Sequence, residues 1–209
     1  MKSRVLLEHY LKELRLPTVA QEYARLARQC SQTNRGYAAF LQDLLELEVQ
    51  ERKHKAISRR LKEAAFPAEK EIGDFDFAAI PKLGKKRVLD LAAGDYIRKR
   101  ECIVFIGPPG VGKTHLAIGL GREACRQGRR VQFFTATGLT TAYAEAQEER
   151  SVLKLERAIE RRDLIVIDEL GYVPLGQGGA EHLFGFFSKC YERTSVILTS
   201  NLPFSQWPQ

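Results

Sequence analysis

The chain has 209 residues, 44% of them hydrophobic, which is enough apolar material for a packed core of one domain or of one and a half. It has 33 Lys and Arg against 26 Asp and Glu, and the resulting net charge of +7 favours a polyanionic partner. No apolar run approaches the length of a membrane span and the first residues are charged, so we expect no signal peptide, no membrane segment and a cytoplasmic location.

The first part of the chain predicts three helices, over residues 2–14, 17–29 and 37–65, with a polar turn at 31–36. Pro17 suits the first turn of the second helix, and the third helix should end before Pro67. The apolar residues of the third helix form a stripe that we expect to pack against the first two helices: Tyr37, Phe40, Leu41, Leu44 and Leu45. Residues 1–70 are therefore predicted to form a small all-helical domain.

Basic side chains are concentrated in the second half of the third helix. Within residues 1–70, 14 Lys and Arg stand against 9 Asp and Glu, whereas residues 71–209 have 19 against 17. A solvated helix face explains any one short basic run, but the number of runs favours contact with the DNA backbone, which is salt-dependent and largely non-specific for sequence. The residues predicted to contact double-stranded DNA are Arg52, Lys53, Lys55, Arg59, Arg60 and Lys62, with further short basic runs at 85–87 and 98–100.

A phosphate-binding loop follows the apolar run 102–106, which predicts a strand, and precedes a predicted helix over 115–126. Residues 107–114 match the pattern G-x4-G-K-S/T at every fixed position, and strand, loop and helix occur in the required order. The alternative of a simple glycine-rich turn is disfavoured by the flanking strand and helix, and a dinucleotide loop is disfavoured because its glycine spacing is G-x-G-x-x-G. The residues predicted to bind the nucleotide are Gly107, Pro108, Pro109, Gly110, Val111, Gly112, Lys113, Thr114 and His115.

Three polar residues follow later apolar runs, which predict strands over 164–167 and 195–199 beside another over 130–134. Asp168 is predicted to hold Mg²⁺ together with Thr114, and Glu169 to act as the base that polarises the attacking water. Asn201 is predicted to contact the γ-phosphate and the water, while Lys113 places its charge on the β- and γ-phosphates. The sequence thus predicts a site for ATP and Mg²⁺ at the carboxyl edge of a parallel sheet.

The stretches 107–117, 163–172 and 199–204, with Trp207, resemble the IstB-type transposition helper ATPases, relatives of the DnaC-type helicase loaders in the AAA+ class. Phe66, Pro67, Phe75 and Phe77 extend the resemblance over nearly the whole chain. It implies an α/β P-loop NTPase (AAA+) core over 71–209, a parallel sheet with flanking helices. It also implies an ATP-dependent oligomer that assembles on DNA and assists a partner transposase.

The chain departs from this family in two places. Cys190 stands where relatives have an arginine before Tyr191 and Glu192. The sequence after Asn201 is short and has two prolines, so we expect a core truncated at the C-terminus, without the fifth strand, the arginine finger and the sensor-two arginine. We then expect an open edge at the phosphate-loop strand and weak hydrolysis. Two alternatives stay open: a replicative helicase loader, and a truncated module that binds nucleotide or DNA without hydrolysis.

Overall fold

The computed structural model describes residues 2–33, 35–171, 178–203 and 206. The chain divides into two compact units, Met1–Ser58 and Arg59–Gln209. This division lies inside the third helix, earlier in the chain than the boundary at residue 70 that the sequence suggests. The functional roles given to the N-terminal domain stay predictions.

The first unit contains helices α1 (Lys2–Glu13), α2 (Pro17–Thr33) and the first part of α3 (Tyr37–Ala64). The three predicted helices are therefore present, but α2 continues beyond residue 29 into the predicted polar turn. The hydroxyl groups of Ser31 and Thr33 donate to the carbonyl oxygens four residues earlier, at 3.0 and 2.9 Å. Their hydroxyl groups are satisfied on the helix itself, which is compatible with the extension of α2 into the predicted turn.

The core of this unit is small. Leu11, Val19, Leu26 and Leu44 are buried together, and Phe40 packs against them. The stripe predicted on α3 is only partly correct, because Tyr37 is 94% exposed, Leu41 55% and Leu45 44%. Phe40, Leu44 and Leu47 are spaced by four and three residues, so they share the one helix face that meets this core.

A buried carboxylate stabilises the start of α2. Glu48 is 3% exposed and accepts hydrogen bonds from the backbone N–H groups of Thr18 and Val19, at 2.8 and 3.2 Å. Arg52 donates to the same carboxylate from its Nε at 2.7 Å. Burial raises the pKa of Glu48, but these donors outweigh burial and leave the pKa below its ordinary value. Glu48 thus supplies the negative charge that the first turn of a helix favours.

The second unit is built on a sheet of four parallel strands, β1 (Ile103–Ile106), β2 (Val131–Thr135), β3 (Leu164–Leu170) and β4 (Ser195–Ser200). The strand order is β1-β4-β3-β2, which confirms a parallel α/β core. In the described part of the chain β1 pairs only with β4 and is an outer strand. We call the edge where the strands end the carboxyl edge, and the opposite one the amino edge.

Helices cover both faces of this sheet. They are α4 (Lys85–Ala92), α5 (Asp95–Arg98), α6 (Lys113–Arg126), α7 (Ala136–Glu148), α8 (Val152–Glu160) and α9 (Gly179–Cys190). On one face Leu164, Val166 and Ile197 pack with α6, and on the other Ile165, Ile167 and Val196 pack with α7 and α9. Neighbouring residues of β3 alternate between the two clusters, as expected of a central strand buried on both sides.

The segment before α4 lies against α6 where α6 has glycines. A Cβ added at Gly119 would lie 2.9 Å from Cγ1 of Ile72, and one at Gly121 would lie 2.9 Å from two ring carbons of Phe66. Real Cβ atoms do not approach other atoms so closely. The glycines therefore allow Phe66 and Ile72 to pack directly on the α6 backbone.

Gly119→Ala and Gly121→Ala should each lower the free energy of unfolding, by about 1–3 kcal/mol, because the added methyl group overpacks this contact. Gly185→Ala in α9 is the matched control, since a Cβ there meets nothing within 4 Å. Removing a helical glycine should stabilise the chain by about 0.5–1 kcal/mol. Urea unfolding of the three variants measures this, and equal effects at all three positions would contradict the close packing.

Candidate functional site

The loop 107–112 connects β1 to α6 at the carboxyl edge of the sheet. Gly110 and Gly112 have φ values of +81° and +83°, which other L-residues rarely adopt. A Cβ at Gly112 would also lie 2.5 Å from Cε2 of Phe75. Conformation and space therefore both require glycine at the last loop position, and α6 begins directly after it at Lys113. The first N–H groups of a helix lack partners within the helix, so the start of α6 suits a phosphate group.

The Lys113 side chain lies across the loop. Its Nζ donates to the carbonyl oxygens of Gly107 and Pro108, at 2.8 and 2.9 Å, and to Oδ1 of Asn201 at 2.6 Å. The structure thus brings together the phosphate-loop lysine and the predicted sensor residue, which are 88 positions apart in the chain. Burial lowers the pKa of Lys113, and the charge of Asp168 acts in the opposite direction.

Asp168 is the centre of the hydrogen bonds at this edge. It is 4% exposed, and its Oδ1 accepts a hydrogen bond from Oγ1 of Thr114 at 2.9 Å. The same oxygen accepts a second hydrogen bond from the hydroxyl of Thr199 on β4. Thr199 in turn accepts from the backbone N–H of Glu169 at 3.0 Å. One hydroxyl group therefore holds both acidic residues, Asp168 through its side chain and Glu169 through its backbone.

Glu169 has an unusual backbone conformation for its residue type. Its φ is +63°, in the left-handed region, and it lies where the pairing of β3 with β4 shifts register between Ile167 and Leu170. The predicted strand end at 167 is therefore wrong: β3 continues to Leu170 across this irregularity. Asp168 is buried whereas Glu169 is exposed, and Glu169 has no ion-pair partner among the residues that the structure describes. Its carboxylate is free to accept a proton from a bound molecule.

The sequence did not single out Thr199, although a hydroxyl residue at the end of a strand, two positions before Asn201, was a usable signal. Thr199→Val keeps the shape of the side chain but leaves the Glu169 N–H without its acceptor. We expect the free energy of unfolding to fall by about 1–3 kcal/mol, and any hydrolysis of ATP to slow with it. Thr199→Ser restores the hydroxyl and should recover both properties. Thermal unfolding and turnover that are equal for Val and Ser variants would contradict this role.

The ring of His115 contacts residues outside the phosphate loop. Its Nε2 lies 2.7 Å from the carbonyl oxygen of Glu71, and its ring meets Phe75 edge to face with 5.4 Å between centroids. The Glu71 carboxylate pairs with Arg126 and Arg122 of α6, and the hydrogen bond from Arg126, larger than the opposing effect of burial, lowers its pKa. His115 thus fastens the segment 71–75 to the helix, and its predicted contact with nucleotide stays a prediction.

The oxygen atoms at this edge fit a hard cation. The Thr114 hydroxyl uses its proton on Asp168, which leaves the lone pairs of its oxygen available. Among the described residues there is no group of three or more His, Cys, Asp and Glu side chains placed to hold a metal ion. Mg²⁺ in nucleotide sites typically takes only one or two carboxylates, with water and phosphate oxygens as its other ligands. Thr114 and Asp168 are compatible with that coordination.

Half of the predicted DNA-binding residues on α3 have acidic partners on the same helix. Arg52 pairs with Glu48, Lys55 with Glu51 at 3.2 Å, and Arg59 with Glu63 at 3.8 Å. In the part of the chain that the structure describes, Lys53, Arg60 and Lys62 have no such partner. The contacts with DNA stay predictions for all six.

The other residues named for the family resemblance lie outside the phosphate loop. Cys190, for which the resemblance predicts an arginine, is 4% exposed in the core beside Phe186, and burial raises the pKa of its thiol to about 12. Tyr172, Phe204 and Trp207 lie outside the described residues. No helix among the residues with described structure is both long enough and apolar enough to cross a membrane.

Comparison with solved structures places the sheet and its loop among known folds. AMPPCP-bound DnaA from Aquifex aeolicus superposes with a TM-score of 0.58 at 21% identity, over 66% of this chain and 43% of that one. At this identity the likeness concerns the fold alone, and it confirms the predicted parallel α/β core of the P-loop NTPase type.

Relatives in sequence cover almost the whole chain. A protein named as the ATP-binding protein of insertion sequence IS5376, from Geobacillus stearothermophilus, is 37% identical over 99% of this chain and 82% of its own length. An insertion sequence protein of Sinorhizobium fredii, also named for ATP binding, is 38% identical over 94% of this chain and 66% of its own length. The profile of the family described as IstB-like ATP binding protein matches residues 9–209. The chain therefore belongs to the IstB-like ATP-binding protein family.

Proposed function

We propose that this protein is an ATP-dependent regulator of DNA transposition that assembles on double-stranded DNA with ATP and assists a partner transposase. The observation that carries the proposal is the chain of hydrogen bonds from Thr114 through Asp168 and Thr199 to Glu169. It ties the phosphate loop to two acidic residues with different environments. A site that only held phosphate would not need the second, exposed carboxylate.

The residues divide the chemistry of ATP hydrolysis between them. Backbone N–H groups of the loop and the start of α6 bind the phosphates, and Lys113 neutralises charge on the β- and γ-phosphates. Glu169 orients a water molecule and takes its proton, and Asn201, already in contact with Lys113, reports the state of the γ-phosphate. Thr114 and Asp168 would hold Mg²⁺. When bound, the ion would supply positive charge next to the phosphate oxygens.

Support for transposition comes from the names of the relatives. The two described above are named for insertion sequences and for ATP binding. A replicative helicase loader would use the same core, and the likeness to DnaA at 21% identity does not distinguish the two functions. The proposal therefore takes double-stranded DNA and a transposase as partners, with ATP between protomers closing an oligomer on the DNA.

Sedimentation of the full chain on double-stranded DNA tests the assembly. With ATP or AMPPCP and Mg²⁺ we expect large complexes, and with ADP or no nucleotide we expect small ones. DNA complexes of equal size in all four conditions would contradict ATP-dependent assembly.

A second measurement tests the partner. The transposase from the same insertion sequence should bind the ATP-assembled complex more tightly than the chain without nucleotide. A hexameric replicative helicase serves as the comparison. Binding to the helicase in preference to the transposase would favour the loader function instead.

A further inference from the structure

Arginines are distributed along the whole amino edge of the sheet. Each of the four strands is preceded, within three residues, by an arginine: Arg100 before β1, Arg193 before β4, Arg162 before β3 and Arg130 before β2. Because the strand order is β1-β4-β3-β2, these positions form a row across the molecule. The nucleotide site lies at the other end of the same strands.

Some of these charges are neutralised and others are not. Arg130 lies 3.6 Å from Asp163 and Arg193 lies 3.8 Å from Glu160, and Arg98 also has an acidic partner, Asp95. Six basic side chains near this edge have no acidic partner within the described residues: Arg60, Lys99, Arg100, Arg129, Arg161 and Arg162. Within the part of the chain that the structure describes, two unpaired acidic residues, Glu101 and Glu192, lie beside the same strand starts. The edge thus has a clear excess of positive charge.

The segments that carry the unpaired arginines before β2 and β3 lie side by side. The loops that precede these strands are joined by hydrogen bonds between Arg130 and Asp163, backbone to side chain at 2.8 Å and backbone to backbone at 2.8 Å. Arg60 reaches the same place, since its Nη2 lies 4.0 Å from the position of a Cβ on Gly128.

The surroundings of the Cys125 thiol also indicate that several arginines lie near this edge. Burial raises the pKa of Cys125 to about 11, and the charges of Arg60, Arg122, Arg126 and Arg162 act in the opposite direction. Arg122 and Arg126 are paired with Glu71, so Arg60 and Arg162 are the uncompensated members of this group.

Helix dipoles explain part of this arrangement. Helices α5, α6 and α8 end shortly before β1, β2 and β3, and cations are favoured at the carboxyl ends of helices. Arg98, Arg126 and Arg157 already occupy the last turns of these three helices. The six unpaired side chains exceed what the helix ends require. Among the described residues, Tyr191 is the one exposed large hydrophobic side chain beside these strand starts, so the edge lacks the apolar centre of a protein interface.

We propose that this row, which we call the arginine edge (Arg60, Lys99, Arg100, Arg129, Arg161 and Arg162), binds the phosphate backbone of double-stranded DNA. The proposal rests on the proposed DNA function and assigns it a surface. With strands about 4.8 Å apart, the four strand starts span about 14 Å. That length of duplex carries about eight phosphate charges, and arginine suits phosphate through its planar set of donors. These contacts are made to backbone phosphates and not to base edges, so binding is largely independent of the DNA sequence.

The test is DNA binding by the full chain with Arg129→Gln and Arg162→Gln combined, followed by fluorescence anisotropy on a 30-bp duplex at several salt concentrations. We expect about 10-fold weaker binding at low salt and a salt slope reduced by about 1.8, the value for two lost phosphate contacts. The control is Lys82→Gln with Lys154→Gln, two exposed basic residues outside the predicted DNA contacts and without acidic partners in the described chain. The control should keep the salt slope of the unchanged protein.

Nucleotide binding and thermal unfolding of the same variants separate the outcomes. Binding of a fluorescent ATP analogue should be unchanged, because the arginine edge is opposite the phosphate loop. An unchanged salt slope, an equal loss in the control, or a lower Tm with unaltered DNA binding would each overturn the arginine edge. So would a loss confined to single-stranded DNA. If the unchanged protein binds no DNA at all, the proposed function itself fails, whereas normal binding by the variant defeats only this surface.

Discussion

Replacing Lys113 by alanine should weaken the binding of ATP by about 10- to 150-fold, the equivalent of about 1.5–3 kcal/mol for hydrogen bonds to a charged group. In the structure the ammonium group has three oxygen partners, at 2.6–2.9 Å, and none of them is a carboxylate. Its charge is therefore not neutralised by direct pairing and is available for phosphate. The loop 107–112 itself has no basic residue.

Titration with a fluorescent ATP analogue measures this effect. Lys113→Arg is the informative companion, because it keeps the charge but replaces a compact ammonium by a longer planar group. We expect it to bind ATP with intermediate affinity. Lys154→Ala, at an exposed position on α8, controls for loss of a lysine elsewhere. Unchanged affinity in Lys113→Ala would show that the loop does not hold the triphosphate through this side chain.

The loop and its lysine were predictable because they depend on neighbours in sequence. Glycines at fixed spacing after an apolar run dictate a turn before a helix, and the structure has that turn with positive φ at Gly110 and Gly112. The parallel sheet was predictable for a similar reason, since buried central strands are continuous apolar runs. Asp168 could be placed at the carboxyl edge because it follows such a run.

What the sequence could not provide depends on pairing between distant strands. The hydroxyl of Thr199 reaches Asp168 only because β4 lies between β1 and β3, an order that no local pattern encodes. The left-handed conformation of Glu169 follows from the same pairing, at the register shift between β3 and β4. The arginine edge also arises from topology, because its members come from separate turns of the chain. For α3 the local pattern overstated the number of unpaired basic side chains, because it did not show that Arg52 donates a hydrogen bond to the buried Glu48.

Glu169→Gln should reduce the rate of ATP hydrolysis by about 10²–10⁴-fold relative to the unchanged chain, the usual contribution of a positioned general base. The amide has nearly the same shape, so the backbone at φ +63° and its hydrogen bond to Thr199 should persist. Because the exposed carboxylate has no ion pair within the described chain, the variant should lose little stability. Affinity for ATP should be retained, which distinguishes this variant from Lys113→Ala.

The two variants together separate binding of ATP from its consequence. If ATP closes the assembly on DNA and hydrolysis resets it, Glu169→Gln should form DNA complexes with ATP that dissociate more slowly than those of the unchanged chain. Lys113→Ala should form only the small complexes expected without nucleotide. Dissociation rates from a labelled duplex after addition of competitor DNA measure this even where turnover is slow. Glu181→Gln on α9, also an exposed carboxylate, is the matched control and should dissociate like the unchanged chain. Equal lifetimes for Glu169→Gln and Glu181→Gln would mean that hydrolysis assisted by Glu169 does not reset the assembly on DNA.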